Sequence, residues 1–114
     1  MANIYLNAKK DLTTNTVTTL YTVPSNSRAI VKSLLVSEDT NTGTTITVDL
    51  FDGDPASANK FTLFNTAAVD ANESIQLLTE PLIMLENEVL QVTAADAGRL
   101  FTTASILEIS REDR

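Results

Sequence analysis

Apolar and polar residues alternate along most of the chain, in short runs separated by turn-forming residues. In residues 44–52, for example, Ile46, Val48 and Leu50 alternate with the polar residues Thr45, Thr47 and Asp49. A period of two is typical of a β-strand, in which successive side chains point to opposite faces. We therefore expect these three side chains to point into a core. No stretch shows the 3.6-residue period of an amphipathic helix.

The same pattern predicts a chain built from many short strands. Gly, Pro, Asn and Asp occupy the breaks between the runs, and Asp52-Gly53-Asp54-Pro55 is the sharpest break. Short strands at this spacing predict an all-β fold: a single β-sandwich, jelly-roll-like or immunoglobulin-like, with about eight to nine short antiparallel strands. The predicted strands are Asn3–Ala8, Asn15–Val23, Arg28–Glu38, Thr44–Asp52, Lys60–Asn65, Ser74–Thr79, Leu82–Leu85, Val89–Ala94 and Leu100–Ser110.

The length of 114 residues fits one compact domain. We expect an N-terminal arm or edge strand at 1–12, a sandwich domain at 13–110 and a charged tail at 111–114. Within the arm, Ile4 and Leu6 form a short apolar stripe. The arm can pair with an edge strand of its own domain, or it can add to the sheet of a neighbouring subunit.

Two predicted strands carry apolar side chains on both faces. Residues 34–36 are three consecutive apolar residues, and in the last strand Phe101, Leu107 and Ile109 lie on the face opposite Ile106. A strand that is apolar on both faces needs a cover on each side. The second cover is either another subunit or, alternatively, the chain itself, through a bulge in the first strand and wrapping of the last by the arm.

Composition and charge exclude several classes of protein. The net charge of −7 disfavours a nucleic-acid binder and binding to an anionic membrane surface. The absence of Cys and His excludes disulfides, Cys/His zinc sites and His-based catalysis. No apolar run has the length of a signal peptide core or a membrane span, so we expect a protein that is made in the cytoplasm and not exported by the general secretory route.

Candidate chemistry is sparse. Asp49, Asp52 and Asp54 are weak candidates for calcium ligands, but their spacing matches no EF-hand and ordinary turn formation explains them. A glycan-binding module would need exposed aromatic platforms, for which Tyr5 and Tyr21 are the only candidates, and the four Phe residues are interpreted as core. We therefore expect no cofactor, no metal and no enzymatic activity.

A family resemblance rests on the segment Leu20–Ser33, "LYTVPSNSRAIVKS". A strand ending in "YTVP", a short polar turn and a strand of the "RAIVKSLLVS" type resemble small virion proteins of tailed bacteriophages. The Thr-rich hairpin, the Glu80-Pro81-Leu82 step, the turn at 94–99 and the closing "LEIS" are similar too. Pro24 has a physical role in this pattern, since it keeps Val23 extended and cannot continue a central ladder.

The resemblance, which covers about residues 15–110, implies a function. It implies a non-enzymatic virion structural protein of the capsid decoration (cement) type, a homotrimer on the outer capsid surface that contacts the major capsid protein or other virion proteins. The alternative is a tail fibre or baseplate module that recognises a host-surface glycan. Arg28 and Lys32, on one strand face, either pair across an interface or are solvated. The interface candidates are Ile4, Leu6, Arg28, Lys32, Phe101, Leu107 and Ile109.

Overall fold

The fold, taken from a computed structural model that describes residues 2–110, is a sandwich of two antiparallel sheets. It confirms the predicted β-sandwich and its number of strands. No helix long and apolar enough for a bilayer occurs among the described residues. The strands are β1 (Ala2–Leu12), β2 (Thr18–Thr22), β3 (Ser27–Glu38), β4 (Thr44–Phe51), β5 (Lys60–Val69), β6 (Ser74–Gln76), β7 (Leu82–Met84), β8 (Val89–Ala94) and β9 (Leu100–Ser110).

The chain crosses between the two sheets repeatedly. Sheet A has the order β1-β9-β3, with β6 and β7 sharing the remaining side of β3, and sheet B has the order β2-β8-β4-β5. Strands β1, β2, β3 and β4 therefore alternate between the sheets. In the immunoglobulin fold the first two strands share a sheet, so the strand order observed here differs from it.

The inner faces of both sheets form one apolar core. Ile46 and Val48 of β4 are fully buried, and Leu50 packs against the core, as the alternation predicts. The core combines β-branched and Leu side chains from both sheets, which suits the pleated inner surfaces of a sandwich. Burial of this apolar surface is the main favourable term in folding.

A β-bulge at Lys32 decides which members of the apolar run in β3 face the core. The β3–β9 register shifts between Val31 and Ser33, so Lys32 is the extra residue. Val31 points inward before the bulge, Leu34 points inward after it, and Leu35 is exposed on the outer face. The bulge thus resets the alternation so that Leu34 and Val36 both face the core, and it leaves Leu35 uncovered on the outward face.

A buried carboxylate closes one end of the sandwich. Glu38 is 2% exposed, and its carboxylate accepts hydrogen bonds from the backbone N–H groups of Thr40 (2.8 Å), Thr42 (3.5 Å) and Asn72 (2.7 Å) and from the Thr40 hydroxyl. The Thr40 hydroxyl contributes most to lowering the pKa of Glu38, which falls to about 2 although burial opposes the shift. Glu38 therefore ties the 39–43 and 70–73 turns together as an ionised acceptor.

The N-terminal segment is an edge strand of its own domain. β1 pairs with β9 along its whole length without a register shift, from Ala2 opposite Ser110 to Leu12 opposite Leu100. β9 therefore lies between β1 and β3 and is hydrogen-bonded on both sides. The charged tail predicted at 111–114 lies outside the described residues.

Candidate protein-binding face

The outward side of sheet A carries a continuous line of apolar side chains. Residues directly opposite each other in adjacent strands lie on the same face of a sheet. Tyr5 is opposite Leu107, Leu107 is opposite Ile30, and Ile30 is opposite Ile83. We call these four residues, which cross the sheet from one edge strand to the other, the apolar row.

The two ends of the apolar row are well exposed. The exposed fraction is 76% for Tyr5 and 64% for Ile83, while Leu107 and Ile30 are half-buried between them. Leu85, two residues beyond Ile83, is also exposed. A contiguous apolar surface of this kind is typical of a binding site, whereas single exposed apolar residues are not.

Basic side chains border the apolar row. Arg28 and Lys32 are each two residues from Ile30 on the outward face of sheet A. Lys9 is on the same face, four residues from Tyr5 along β1, and Asp11 is the acidic residue among the outward strand residues of this sheet. The chain as a whole has a net charge of −7. This face is therefore locally basic on an acidic protein, which favours an acidic partner surface.

The outward side of sheet B is different in character. It is rich in Thr, and its polar side chains bond to one another: Gln91 Nε2 donates to Thr19 Oγ1 at 3.0 Å, and Thr62 Oγ1 donates to Asp49 Oδ1 at 2.8 Å. Apart from Phe51 and Val89, which are paired with each other and buried, the outward strand residues of β4 and β8 are polar. The apolar row therefore distinguishes sheet A as the side suited to a partner.

Five of the predicted interface residues lie on the outward face of sheet A. Leu107 belongs to the apolar row, and Arg28 and Ile109, opposite each other, form the neighbouring row. Lys32 is at the bulge, one residue from Val31. Phe101, 37% exposed, lies at the far end of the face, remote from the apolar row along β9.

The other two predicted residues point the opposite way. Ile4 is opposite Glu108 and Leu6 is opposite Ile106, and Ile106 is buried in the core. Leu6 packs against that core, and Ile4 is 49% exposed near the end of the sandwich. The structure thus divides the predicted residues between the two faces of sheet A, and Ile4 and Leu6 do not extend the apolar row.

The three aspartates considered as calcium ligands accept hydrogen bonds from their own loop or from the adjacent strand. Asp52 accepts hydrogen bonds from the backbone N–H and the side-chain amide of Asn59, at 3.0 and 3.3 Å, and Asp54 accepts one from the Ala56 N–H at 3.0 Å. Asp49 accepts the Thr62 hydroxyl described above. Within residues 2–110, no group of three acidic side chains is placed to hold a metal ion.

The aromatic side chains differ in accessibility. Tyr21 is half-buried, and its hydroxyl donates to the Glu108 carboxylate, so burial first and this hydrogen bond second raise the pKa of Tyr21. Tyr5 is the more accessible tyrosine. The interpretation of all Phe residues as core is wrong for Phe61, which is 51% exposed, and incomplete for Phe101.

Ile30 and Ile83 were missing from the predicted interface. Both are ordinary apolar strand residues in the sequence, and only the pairing of β3 with β7 and β9 brings them into line with Tyr5. The outward position of Ile30 does have a sequence signal, since it alternates with buried Ala29 and Val31. No signal in the sequence predicts that the row continues across four strands.

Comparison with known proteins finds solved structures with a similar fold but no sequence match to a protein family. No family model and no curated protein matches the sequence. A subunit of Bacillus endospore appendages, described as disulfide-linked pili, has a TM-score of 0.59 and 13% identity, over 96% of this chain and 87% of that one. A chain of infectious bursal disease virus, Gx strain, has a TM-score of 0.56 and 10% identity over 95% of this chain.

A third solved structure is the acid-stable capsid of the Helicobacter pylori bacteriophage KHP30. Its chain has a TM-score of 0.54 and 15% identity, over 96% of this chain and 88% of that one. This protein spans about a third (32%) of the length of the bursal disease virus chain. At these identities the likeness establishes a shared β-sandwich fold.

Proposed function

We propose that this chain is a non-enzymatic structural protein of a phage particle, of the capsid decoration type, which binds a shell protein through the outward face of sheet A. The observation that carries the proposal is the apolar row bordered by basic side chains. This row crosses every strand position of the outward face of sheet A with accessible residues at both ends, whereas the outward face of sheet B carries mostly polar side chains and a buried Phe51–Val89 pair. The sequence resemblance to phage virion proteins and the two viral structures among the fold neighbours support it.

We further infer that the sandwich is a jelly roll. β6 and β7 occupy successive parts of one side of β3, so the nine strands fill eight positions, four in each sheet. Two antiparallel sheets with eight positions and repeated crossing between sheets are the features of a jelly roll, an architecture that recurs in viral capsids. Of the two predicted sandwich types, the strand order thus favours the jelly-roll-like over the immunoglobulin-like one.

The mechanism is binding without chemistry. A protein that binds only the assembled shell stabilises that shell by mass action, and repeated copies multiply weak contacts. The partner would be the major capsid protein or another virion protein, with an apolar surface bordered by acidic groups to match Arg28 and Lys32. From the resemblance, we propose that the chain lies on the outer capsid surface and forms a homotrimer.

A second candidate is a tail fibre or baseplate module that binds a host-surface glycan. The observation in its favour is a shallow depression on the outward face of sheet A, where Tyr5 stands beside the polar side chains of Asn7, Lys32 and Ser105. An exposed aromatic ring next to hydrogen-bonding groups is the usual arrangement for stacking a sugar.

The first test is immunogold electron microscopy of intact virions with antibody against this chain. Label spread over the head supports the decoration role, and label restricted to the tail supports the glycan-binding alternative. No label on any part of the particle would contradict both.

The second test locates the binding surface. Shells lacking this chain are mixed with purified protein, and bound protein is measured after sedimentation. Ile83→Asp places a charge in the apolar row and should weaken binding at least about tenfold, because burial of one such side chain contributes about 1.5–3 kcal/mol. Val17→Asp is the matched control, since Val17 is 56% exposed outside both sheets. Equal binding by both variants would contradict the assignment of this face.

A further inference from the structure

We infer that the free edge of β1 is a self-association site, at which two copies of the chain pair their β1 strands antiparallel about a two-fold axis. The site is the backbone edge of β1, which meets the outward-facing apolar row at Tyr5. It follows from a comparison of the edge strands within the described residues.

Three of the four sheet edges are short or irregular. β2 has five residues with a register shift, and the β6/β7 edge is divided into two strands of three residues each. β5 has register shifts in its pairing, and Thr66 within it has a φ of 51°. Short strands and bulges are the devices by which proteins keep an edge from pairing with another chain.

β1 lacks these devices along most of its length. It has 11 residues, pairs with β9 in one unbroken register, and contains no Pro and no charged residue between Asn3 and Ala8. A long regular edge strand offers a row of backbone donors and acceptors to another strand. β1 is therefore the edge of this sandwich that is open to strand addition.

The side chains of β1 favour a second copy as the occupant. Pairing must keep each face continuous, so outward residues oppose outward residues. With Tyr5 opposite Tyr5 of the second copy, Ile4 is opposite Leu6 of the second copy on the inner face. Every large apolar side chain of β1 between Asn3 and Ala8 then meets an apolar partner.

Charge selects the antiparallel direction. Parallel pairing would set Lys9 and Lys10 beside their own copies, which is unfavourable for like charges on adjacent strands. In the antiparallel pair these lysines lie at opposite ends, outside the paired segment. The pair also joins two apolar rows through Tyr5, so that they cross a doubled sheet A.

The pairing is a two-fold contact and does not depend on the virion assignment. Within a trimer-based assembly, it would link chains of neighbouring trimers, because a closed two-fold contact joins only two chains. Its predicted signature in solution is a species with twice the mass of one chain.

Cysteine cross-linking tests the pairing, since the natural chain has no Cys. Directly opposite residues of an antiparallel pair have Cα atoms about 4.5–5.5 Å apart, within the range of a disulfide. Tyr5→Cys should therefore form a cross-linked dimer rapidly under mild oxidation. Asn7→Cys is the matched control on the same face, because two such residues would be about 13 Å apart along the paired strands.

A second variant measures the energetics by analytical ultracentrifugation. Tyr5→Lys opposes two like charges and removes an aromatic pair, so the dimer dissociation constant should rise at least about tenfold. Tyr5 is 76% exposed, so folding should be unaffected. Asn7→Lys adds the same charge, but the two new lysines are not opposite each other in the pair, so the dimer should remain intact.

The proposal is overturned by a monomeric mass at concentrations up to about 1 mM, by equal cross-linking at positions 5 and 7, or by a trimer in which Tyr5→Cys does not cross-link. An intact dimer in solution together with virions that carry no label would reject the proposed function and leave the β1 pairing standing.

Discussion

The bulge at Lys32 predicts that two single-residue deletions in β3 differ greatly in effect. Deleting Lys32 removes the extra residue, and the strand then alternates regularly with Val31 and Leu34 still inward. Deleting Leu35 is different. A regular strand can then keep Val31 and Val36 inward only if Ser33 replaces Leu34 in the core.

The magnitude follows from the burial of Leu34, which is 1% exposed. Moving this side chain to the surface costs its transfer free energy and leaves a cavity, as in Leu→Ala substitutions that cost about 3–5 kcal/mol. Such a loss is a large part of the free energy of unfolding of a small domain. Deleting Lys32 should cost less than about 2 kcal/mol, since it only straightens the strand.

Urea denaturation measures the difference. With a slope of about 2 kcal/mol per molar, the Leu35 deletion should lower the midpoint by about 2 M, and the Lys32 deletion by less than about 1 M. The Leu35→Ala variant controls for the lost side chain, which is 39% exposed. If both deletions cost the same, or if the Leu35 deletion matches Leu35→Ala, the bulge does not set the faces of β3.

Two further predictions concern stability. The pKa of the Glu38 carboxylate is lowered from 4.5 to about 2, so its contribution to stability should be complete above about pH 4.5 and should be lost as the pH falls towards 2. Glu38→Gln should abolish this pH dependence, and thermal melts across pH 2–6 measure it. Leu90→Ala should lower the free energy of unfolding by about 3–5 kcal/mol, because Leu90 is 0% exposed; chemical denaturation measures it, and a loss below about 1 kcal/mol would contradict its central place in the core.

The strands themselves were largely predictable from the sequence, because alternation and turn residues are local signals. The ends were less predictable. β1 reaches Leu12 instead of Ala8 because β9 pairs with it throughout, and β5 reaches Val69 instead of Asn65. At Thr66 a positive φ accommodates an irregularity that propensity does not reveal.

The candidate site was predictable only in part. Leu107 and Ile109 stood out because the last strand is apolar on both faces. Their alignment with Tyr5 depends on a pairing between β1 and β9 that joins distant parts of the sequence. For the same reason, the inward direction of Ile4 could not be predicted from the sequence. Alternation shows that Ile4 and Leu6 share a face of the strand, but only the pairing with β9 shows which face of the sheet that is.

The central position of β9 has a consequence for folding. β9 is the last strand in the chain, yet it lies between β1 and β3 in sheet A. During synthesis, β1 and β3 therefore have no β9 between them until residues 100–110 have left the ribosome. Such high contact order slows folding and exposes unpaired strand edges along the way. We expect sheet A to be completed only after β9 has emerged from the ribosome, and until then the nascent protein depends on its acidic charge to stay free of aggregation.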